Sequence, residues 1–383
     1  MTAYFNLGDY SLDVTTNSKE AQKWFNLGIN WCYGFNHEEG IVCFEKALEY
    51  DEKLAMAYWG IAYAAGPFYN YPWRFFIKEE ADKQTKLCFD SMSKAKALTP
   101  NITTVEADLI SALSSRFQKD HSVSYEEFDK WDDDYADHMR DVYKKHPTNP
   151  DVMALCAEAL ITRTPWKLWD VNTGKPLDNS DVVEAVDIIE KAIAISPNHP
   201  AALHFHIHAT EMSSTPEDAL HSANVLGTLC PDAGHMNHMP GHTYVLCGLY
   251  EEAKIASEKA IRADNMYLDY AGPFNFYTTA RCHDLHLMMY ACMFLGQLEP
   301  SLKASHDIRD TLSLDVLSVK GRPKLAVTLE GYYSMLMHVL VRFGKWKRLS
   351  TLLCLLLQIY TVYQHQCIIM QKPLPSPHLV KLN

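Results

Sequence analysis

Apolar residues in this chain recur at three- and four-residue spacings with polar residues between them. Near the N-terminus Phe25, Ile29, Phe44 and Leu48 set the rhythm. That spacing places one apolar stripe on an α-helix. The same pattern predicts helices over 80–98, 103–116, 125–145, 150–161, 181–196, 201–212, 216–229, 235–247 and 249–263. Further helices are expected near 283–295, 299–312 and 325–343. Residues 20–65 read as one helical hairpin followed by the first helix of another. No run of alternating residues demands a strand, so the expected fold class is all-α.

The hairpins repeat. Ala185, Ala219 and Ala253 are spaced 34 residues apart, and Pro197 and Pro231 repeat the step. This is the period of the tetratricopeptide helix–turn–helix unit. Trp24, Leu27, Gly28, Phe44 and Ala47 fit the same unit, as do Gly241, Tyr244 and Ala260. From Gly248 to Gly296 to Gly344 each step is 48 residues, one period plus an insertion of 14. The organisation read from this is a lead-in at 1–19, a helical-repeat solenoid over 20–349 and a divergent tail at 350–383. By length alone the 383 residues could form two domains, but a repeat array implies one elongated solenoid.

Three segments rich in Pro, Gly and aromatics interrupt the array, at 65–76, 162–180 and 264–281. The first two follow helices of the inner face. They are expected either to fold over the groove as lids or to plug the solenoid and lengthen its core.

Phase along the repeats brings out the chemistry. Counted from the start of each unit's first helix, His204, His238 and His286 share the fifth position. His208 and His242 share the ninth, with His338 reaching it through a 48-residue step. His235 and His283 share the second. Glu211 takes the twelfth position of its unit, and Glu158 the ninth of the preceding one. The second, fifth, ninth and twelfth positions of three units make twelve slots. At 18 histidines in 383 residues, about 0.6 would fall there by composition. Seven do. A lone satisfied core histidine accounts for one of these and not for the set.

Imidazoles three or four residues apart on a helix converge on one ion, and neighbouring helices supply further ligands. The candidate metal ligands are therefore His204, His208, Glu211, His235, His238, His242, His283 and His286, with Glu158 and His338 as outlying members. Seven histidines exceed one tetrahedral shell, so two or more ions are expected. Imidazole favours zinc, iron or copper over magnesium or calcium. Asp284 and Tyr290 are candidates for orienting the imidazoles. His206 falls between two stripe positions and points elsewhere, and His37 reads as a turn or capping residue. Trp59 and Tyr63 read as core.

Composition narrows the rest. A net charge of −12 argues against nucleic acid, which calls for a basic face. Asp132, Asp133 and Asp134 read as a solvated helix face. Ten cysteines stand singly without a C-x-x-C pair, as expected for reduced thiols in a cytoplasmic protein. The N-terminus shows no secretory pattern. No Asp or Glu follows Glu330, and the apolar stretch before the C-terminus is broken by Gln358, Gln364, His365 and Gln366, making a poor membrane span.

The span from about 20 to 349 resembles the tetratricopeptide-repeat proteins, and within them a histidine-bearing group widespread in bacteria and eukaryotes. The phrases carrying the resemblance are GFNHEEGIVCFEKALEYD, AYWGIAYAAGPFYN, HFHIHATE and AGHMNHMPGHTYV. The 48-residue steps and the tail after Leu349 depart from the pattern. The resemblance implies an α-solenoid whose first helices line a concave groove, and it implies little about activity. Two functions remain open at this stage. One is a histidine-rich metal-binding groove, as in a hydrolase or oxidoreductase acting on a small molecule. The other is a non-catalytic adaptor gripping a peptide or protein partner. An adaptor for an acidic peptide terminus would want Lys or Arg at groove positions, and the twelve slots hold none. A metal-free polar core would bury many half-satisfied imidazoles.

Overall fold

The computed structural model describes residues 4–318 and 328–352. It divides into a first unit, Met1–Tyr333, and a second, Ser334–Asn383. In the second unit the described part contains a short helix, Met335–Arg342, on which His338 is exposed. Most of the segment read as a tail lies beyond the described residues.

Seven antiparallel helix pairs build the first unit. They are α1 (Lys19–Tyr33) with α2 (His37–Tyr50), α3 (Ala55–Ala65) with α4 (Lys78–Leu98), and α5 (Thr104–Ser114) with α6 (Tyr125–Lys145). Next come α7 (Pro150–Thr162) with α8 (Val182–Ile195), α9 (Pro200–Thr210) with α10 (Leu220–Leu226), α11 (Gly234–Leu246) with α12 (Tyr250–Ala271), and α13 (Tyr277–Phe294) with α14 (Leu298–Thr311). Local signals start many of them. Ser18, Asn36, Thr103, Ser124 and Asn149 each cap a helix by accepting from a first-turn N–H, and Thr103 with Glu106 forms a reciprocal capping box. Such caps satisfy amides that the helix itself leaves unpaired.

The two helices of a pair have different environments. Outer helices bury one stripe: α6 turns Phe128, Trp131, Tyr135, Met139 and Val142 inward and leaves most of its acids outside. Inner helices are enclosed on all sides. Every residue of α9 is buried, as is nearly all of α3 and α7. Close approach is bought by small residues: the Phe44 ring is held between Gly28 and Gly60, where an added Cβ would lie 2.7 and 2.6 Å from it.

A helix apolar all round needs cover on every face, and the chain supplies it by curling. The first hairpin meets the fifth, with α1 packed on α9. Phe276 donates its N–H to Glu38 (2.9 Å), and Tyr267 donates its hydroxyl to Glu39 (3.3 Å). The lead-in ties the curl from outside. Leu7 is buried, Asn6 and Asp232 exchange backbone and side-chain hydrogen bonds, and Tyr10 bonds to Asp151. The inner face expected to be an open groove along an elongated array is thus largely filled.

Four local expectations are corrected. The interruption at 264–281 is mostly helix, because Asp264 and Tyr267 are buried three residues apart and extend α12 to Ala271. Gly272, at φ +71°, and Pro273 end it there, and α13 starts at Tyr277. The interruption at 162–180 contains a small antiparallel hairpin, Trp169–Asp170 with Lys175–Pro176, turned at Gly174 with φ +66°. Asp132 is not solvated. It is buried beside Arg116, whose Nε donates to it at 2.7 Å.

His37 is neither turn nor cap. It opens α2, buried, with Nδ1 3.1 Å from the Ala64 carbonyl and its ring stacked on Phe68. Trp59 and Tyr63 stack on each other in the core. The eight cysteines among the described residues are free thiols. No described helix is long and apolar enough to cross a membrane.

Candidate metal centre

Three consecutive inner helices, α9, α11 and α13, bring six histidines into two sets of three. His204, His208 and His235 form one, and His238, His242 and His283 the other; in each, the ligand nitrogens lie within 4.8 Å of one another. The sets share a rule. Each takes the fifth and ninth positions of one unit and the second position of the next. One repeat step therefore carries the first set onto the second.

Hydrogen bonds at Nδ1 determine what Nε2 offers. His204 donates Nδ1–H to the Tyr33 carbonyl at 2.6 Å, since a carbonyl can only accept. The Glu211 carboxylate accepts from both ninth-position rings, from His208 Nδ1 at 3.0 Å and from His242 Nδ1 at 2.6 Å. His238 Nδ1 lies 3.0 Å from Asp284 Oδ1, though off the line of a well-directed hydrogen bond. With the proton assigned to Nδ1 of His204, His208 and His242 by these acceptors, Nε2 of those three rings presents a lone pair inward. Two of them face a nitrogen of a neighbouring ring. His204 and His235 approach at 3.1 Å through Nε2, His238 and His242 at 2.7 Å, and His283 and His242 at 3.3 Å. His208 Nε2 is buried with no partner.

Electrostatics favour neutral imidazoles at four of the six rings. Burial, reinforced by neighbouring rings, holds His204, His235 and His238 well below the ordinary histidine pKa and brings His283 down to about 3. Burial alone would raise Glu211, but the charge and hydrogen bonds of His242 and His208 hold it well below the usual carboxylate range. Behind the second set lies a buried carboxyl pair. Desolvation pushes Asp264 up to about 7, and burial beside Asp264 raises Asp284 well above its ordinary value. Such a pair holds a proton that isolated carboxylates would lose. Tyr277 adjoins the pair, and its hydroxyl accepts the His235 backbone N–H at 3.0 Å.

The two sets adjoin. Ring centres are 5.8 Å apart between His235 and His238 and 6.4 Å between His208 and His242, comparable to the 5.9 Å between His208 and His235 within one set. Both sets border a pocket of about 570 Å³ that His208, Glu211, His235, His242 and His283 help to line. Asn70 and Phe75 of the first interruption and Trp166 of the second also line it. These segments therefore lie at the mouth of the site. Trp166 donates its N–H to Tyr69 (3.1 Å), and Trp169 ties the same loop to the Ala209 carbonyl of α9 (2.6 Å).

The remaining candidates lie elsewhere or act differently. Glu211 sits between the sets with both oxygens on imidazole Nδ1 atoms, the position of an orienting group. His286 packs against Tyr332, with ring centres 5.9 Å apart, and joins neither set. Glu158 is buried in α7, accepting from Thr162 at 2.9 Å, with its pKa raised by burial against the pull of Arg116. His206 turns away to Ser222 at 2.8 Å. Asp284 lies beside His238 without a directed hydrogen bond to it, whereas Tyr290 lines the pocket.

Sequence reasoning passed over the Tyr33 carbonyl, Asp264, Phe35 and Trp166. A backbone carbonyl leaves no sequence signal. Asp264 was legible only as the i−3 partner of Tyr267. Phe35 and Trp166 are the non-glycine residues of positive φ among the described residues, at +56° and +58°, and both border the pocket.

Comparison with known proteins supports the repeat. The family profile described as tetratricopeptide repeat matches residues 235–265, the α11–α12 hairpin that carries three of the six histidines. No curated protein matches the chain. Among solved structures it is similar to PilW, a widely conserved type IV pilus biogenesis factor, at 11% identity and a TM-score of 0.26, covering 82% of this chain and 99% of that one. The paired helices and the 34-residue step make this chain an all-α helical-repeat protein, one hairpin of which matches the tetratricopeptide repeat.

Proposed function

We propose that the two histidine sets form a binuclear transition-metal site and that the protein is a metalloenzyme acting on a small molecule in the adjoining pocket. The observation that carries this reading is the convergence of three ring nitrogens in each set, with Nδ1 of His204, His208 and His242 already engaged and the buried His208 Nε2 without a partner. A neutral N–H···N bond satisfies one close pair, such as His238 and His242, but not three converging nitrogens, and burial disfavours charging a ring with an extra proton. A metal ion would satisfy all three nitrogens of a set at once. Three histidines per ion leave coordination positions for water or substrate, the pattern of catalytic rather than closed structural sites. Orienting contacts to a carboxylate and a carbonyl are the usual partners of metal-ligating imidazole.

Imidazole-only ligation suits zinc, iron or copper. A bound ion with an open position supplies Lewis-acid or redox chemistry. The protein's residues hold the rings, exclude water with the loops around Phe75 and Trp166, and shape the pocket. Its volume is within the range of small-molecule sites. A peptide adaptor is less well supported, since the inner face that would grip an extended peptide is occupied by the chain's own side chains.

Elemental analysis of untagged full-length protein tests the reading. Two equivalents of a transition metal are expected, falling to about one in His204→Ala and in His238→Ala. Wild-type protein that holds no metal after anaerobic reconstitution with zinc, iron or copper would refute it.

A further inference from the structure

From the walls of the pocket we infer that the ligand taken by this site is a planar aromatic molecule bearing a metal-binding donor at one edge, an inference that rests on the metal-site reading above. The pocket is two-ended. At its floor are the imidazoles and Glu211, whose oxygens are both engaged. Apart from the imidazoles, Glu211 is the only ionisable side chain other than tyrosine among the described residues lining it. A ligand is therefore recognised there by coordination rather than by an ion pair with a side chain.

Above the floor, Trp166, Phe75, Phe276 and Phe35 line the pocket, and Tyr71 and Phe68, which line a neighbouring cavity, connect them. Trp166 stacks on Phe75 at 5.5 Å, Phe75 meets Tyr71 at 5.9 Å, Tyr71 meets Phe276 at 4.7 Å, and Phe276 meets Phe68 at 5.8 Å. Phe68 then touches Phe35 at 5.0 Å. Phe35 lies nearly parallel to two ligand rings, 16° from His208 and 21° from His235. The four rings of this belt that line the pocket favour a flat ring over an aliphatic chain of similar size.

Backbone geometry supports the assignment independently. Phe35 and Trp166 both hold left-handed conformations that bulky side chains rarely adopt. Strain of this kind persists where the surrounding structure enforces it, and it concentrates at ligand clamps. Here it falls at the two ends of the belt, on rings that border the pocket.

Two hydroxamates with the same metal-binding head separate the contribution of the ring. Metal-loaded full-length protein is titrated calorimetrically with benzohydroxamate and with acetohydroxamate. Benzohydroxamate is expected to bind about tenfold tighter or more, as ring stacking adds to buried area. In Trp166→Gly, where glycine suits the left-handed backbone, and separately in Phe75→Ala, that advantage is expected to shrink to about twofold, with metal content and helical circular dichroism retained. Equal affinity for the two probes in metal-loaded wild-type protein would overturn the aromatic assignment and leave the metal site standing. An advantage undiminished in both variants would overturn it as well. Failure of wild-type protein to take up metal would remove the metal reading and this inference together.

Discussion

At the residue scale, Glu211 links the two histidine sets. Its oxygens accept one hydrogen bond from each ninth-position ring, so one carboxylate fixes a tautomer in both sets. Glu211→Gln retains the shape but replaces one acceptor with an amide donor, which would face an N–H. One ring must then turn or change tautomer. Metal affinity is expected to fall by about 10- to 100-fold, the usual cost of losing an orienting partner, while stoichiometry at saturating metal and helical content persist. An isotherm superimposable on wild type would mean that the carboxylate has no orienting role. Asp264 gives a pH test. Its folded pKa, about 7, lies above that of an unfolded aspartate, so the stabilisation associated with its proton is present at low pH and is lost as pH rises through 7. Asn carries no charge to lose. Metal-free Asp264→Asn should therefore gain melting temperature relative to wild type between pH 5 and pH 8. A wild-type–variant difference that does not change with pH would show that the pair does not titrate there. Of these residues Glu211 was visible in the sequence by its repeat position. Its role was not, because position in a helix does not say which atom of a neighbouring ring a carboxylate meets.

At the element scale, the repeat explains both the site and its limits. A helical-repeat step places equivalent positions of successive inner helices side by side, so histidines more than 70 residues apart in the chain, from His204 to His283, become neighbours. That much was legible, because periodicity is a property of the sequence. The grouping was not. His286 shares the fifth position with His204 and His238, but its unit has Tyr290 at the ninth, so no third set is completed. Similarly, Glu158 belongs to a unit with Ala154 at the fifth position. Helix ends were also harder to read than helices. The end of α12 depended on buried contacts of Asp264 and Tyr267, which composition does not reveal. The start of α11 offers a test of how an element positions ligands. Gly234 abuts Asp264 and the Tyr277 hydroxyl so closely that a Cβ would overlap the carboxylate. Gly234→Ala must displace α11 or break the carboxyl pair, and overpacking of this kind costs about 1–3 kcal/mol. A lowered melting temperature with weaker metal binding is expected, since His235 follows directly. Unchanged stability would mean that the N-terminus of α11 moves freely.

For the first unit as a whole, metal binding and curling of the array should be one equilibrium. The ligands come from α9, α11 and α13, and the first hairpin contributes the carbonyl that orients His204. Ions at the two sets would therefore fasten three successive hairpins to one another and to the start of the chain. The early hairpins have no ligand in either set, and their core packs Phe25, Phe44, Trp59 and Trp131 around the buried Arg116–Asp132 pair. A ligand that binds only the folded state stabilises it by about 2.7 kcal/mol at a hundredfold excess over its dissociation constant, and that stabilisation should be felt where the ligands are. Hydrogen exchange on metal-loaded and chelator-treated protein can locate it. Amides of α9, α11 and α13 are expected to lose protection on chelation, and those of α4 and α6 to keep theirs, because local opening follows the local source of stability. Uniform loss over all seven hairpins would instead make the ion a condition for folding of the entire unit. Protection unchanged in α9, α11 and α13 would mean that apolar packing holds the histidines in place without metal, and the curl would then owe nothing to coordination.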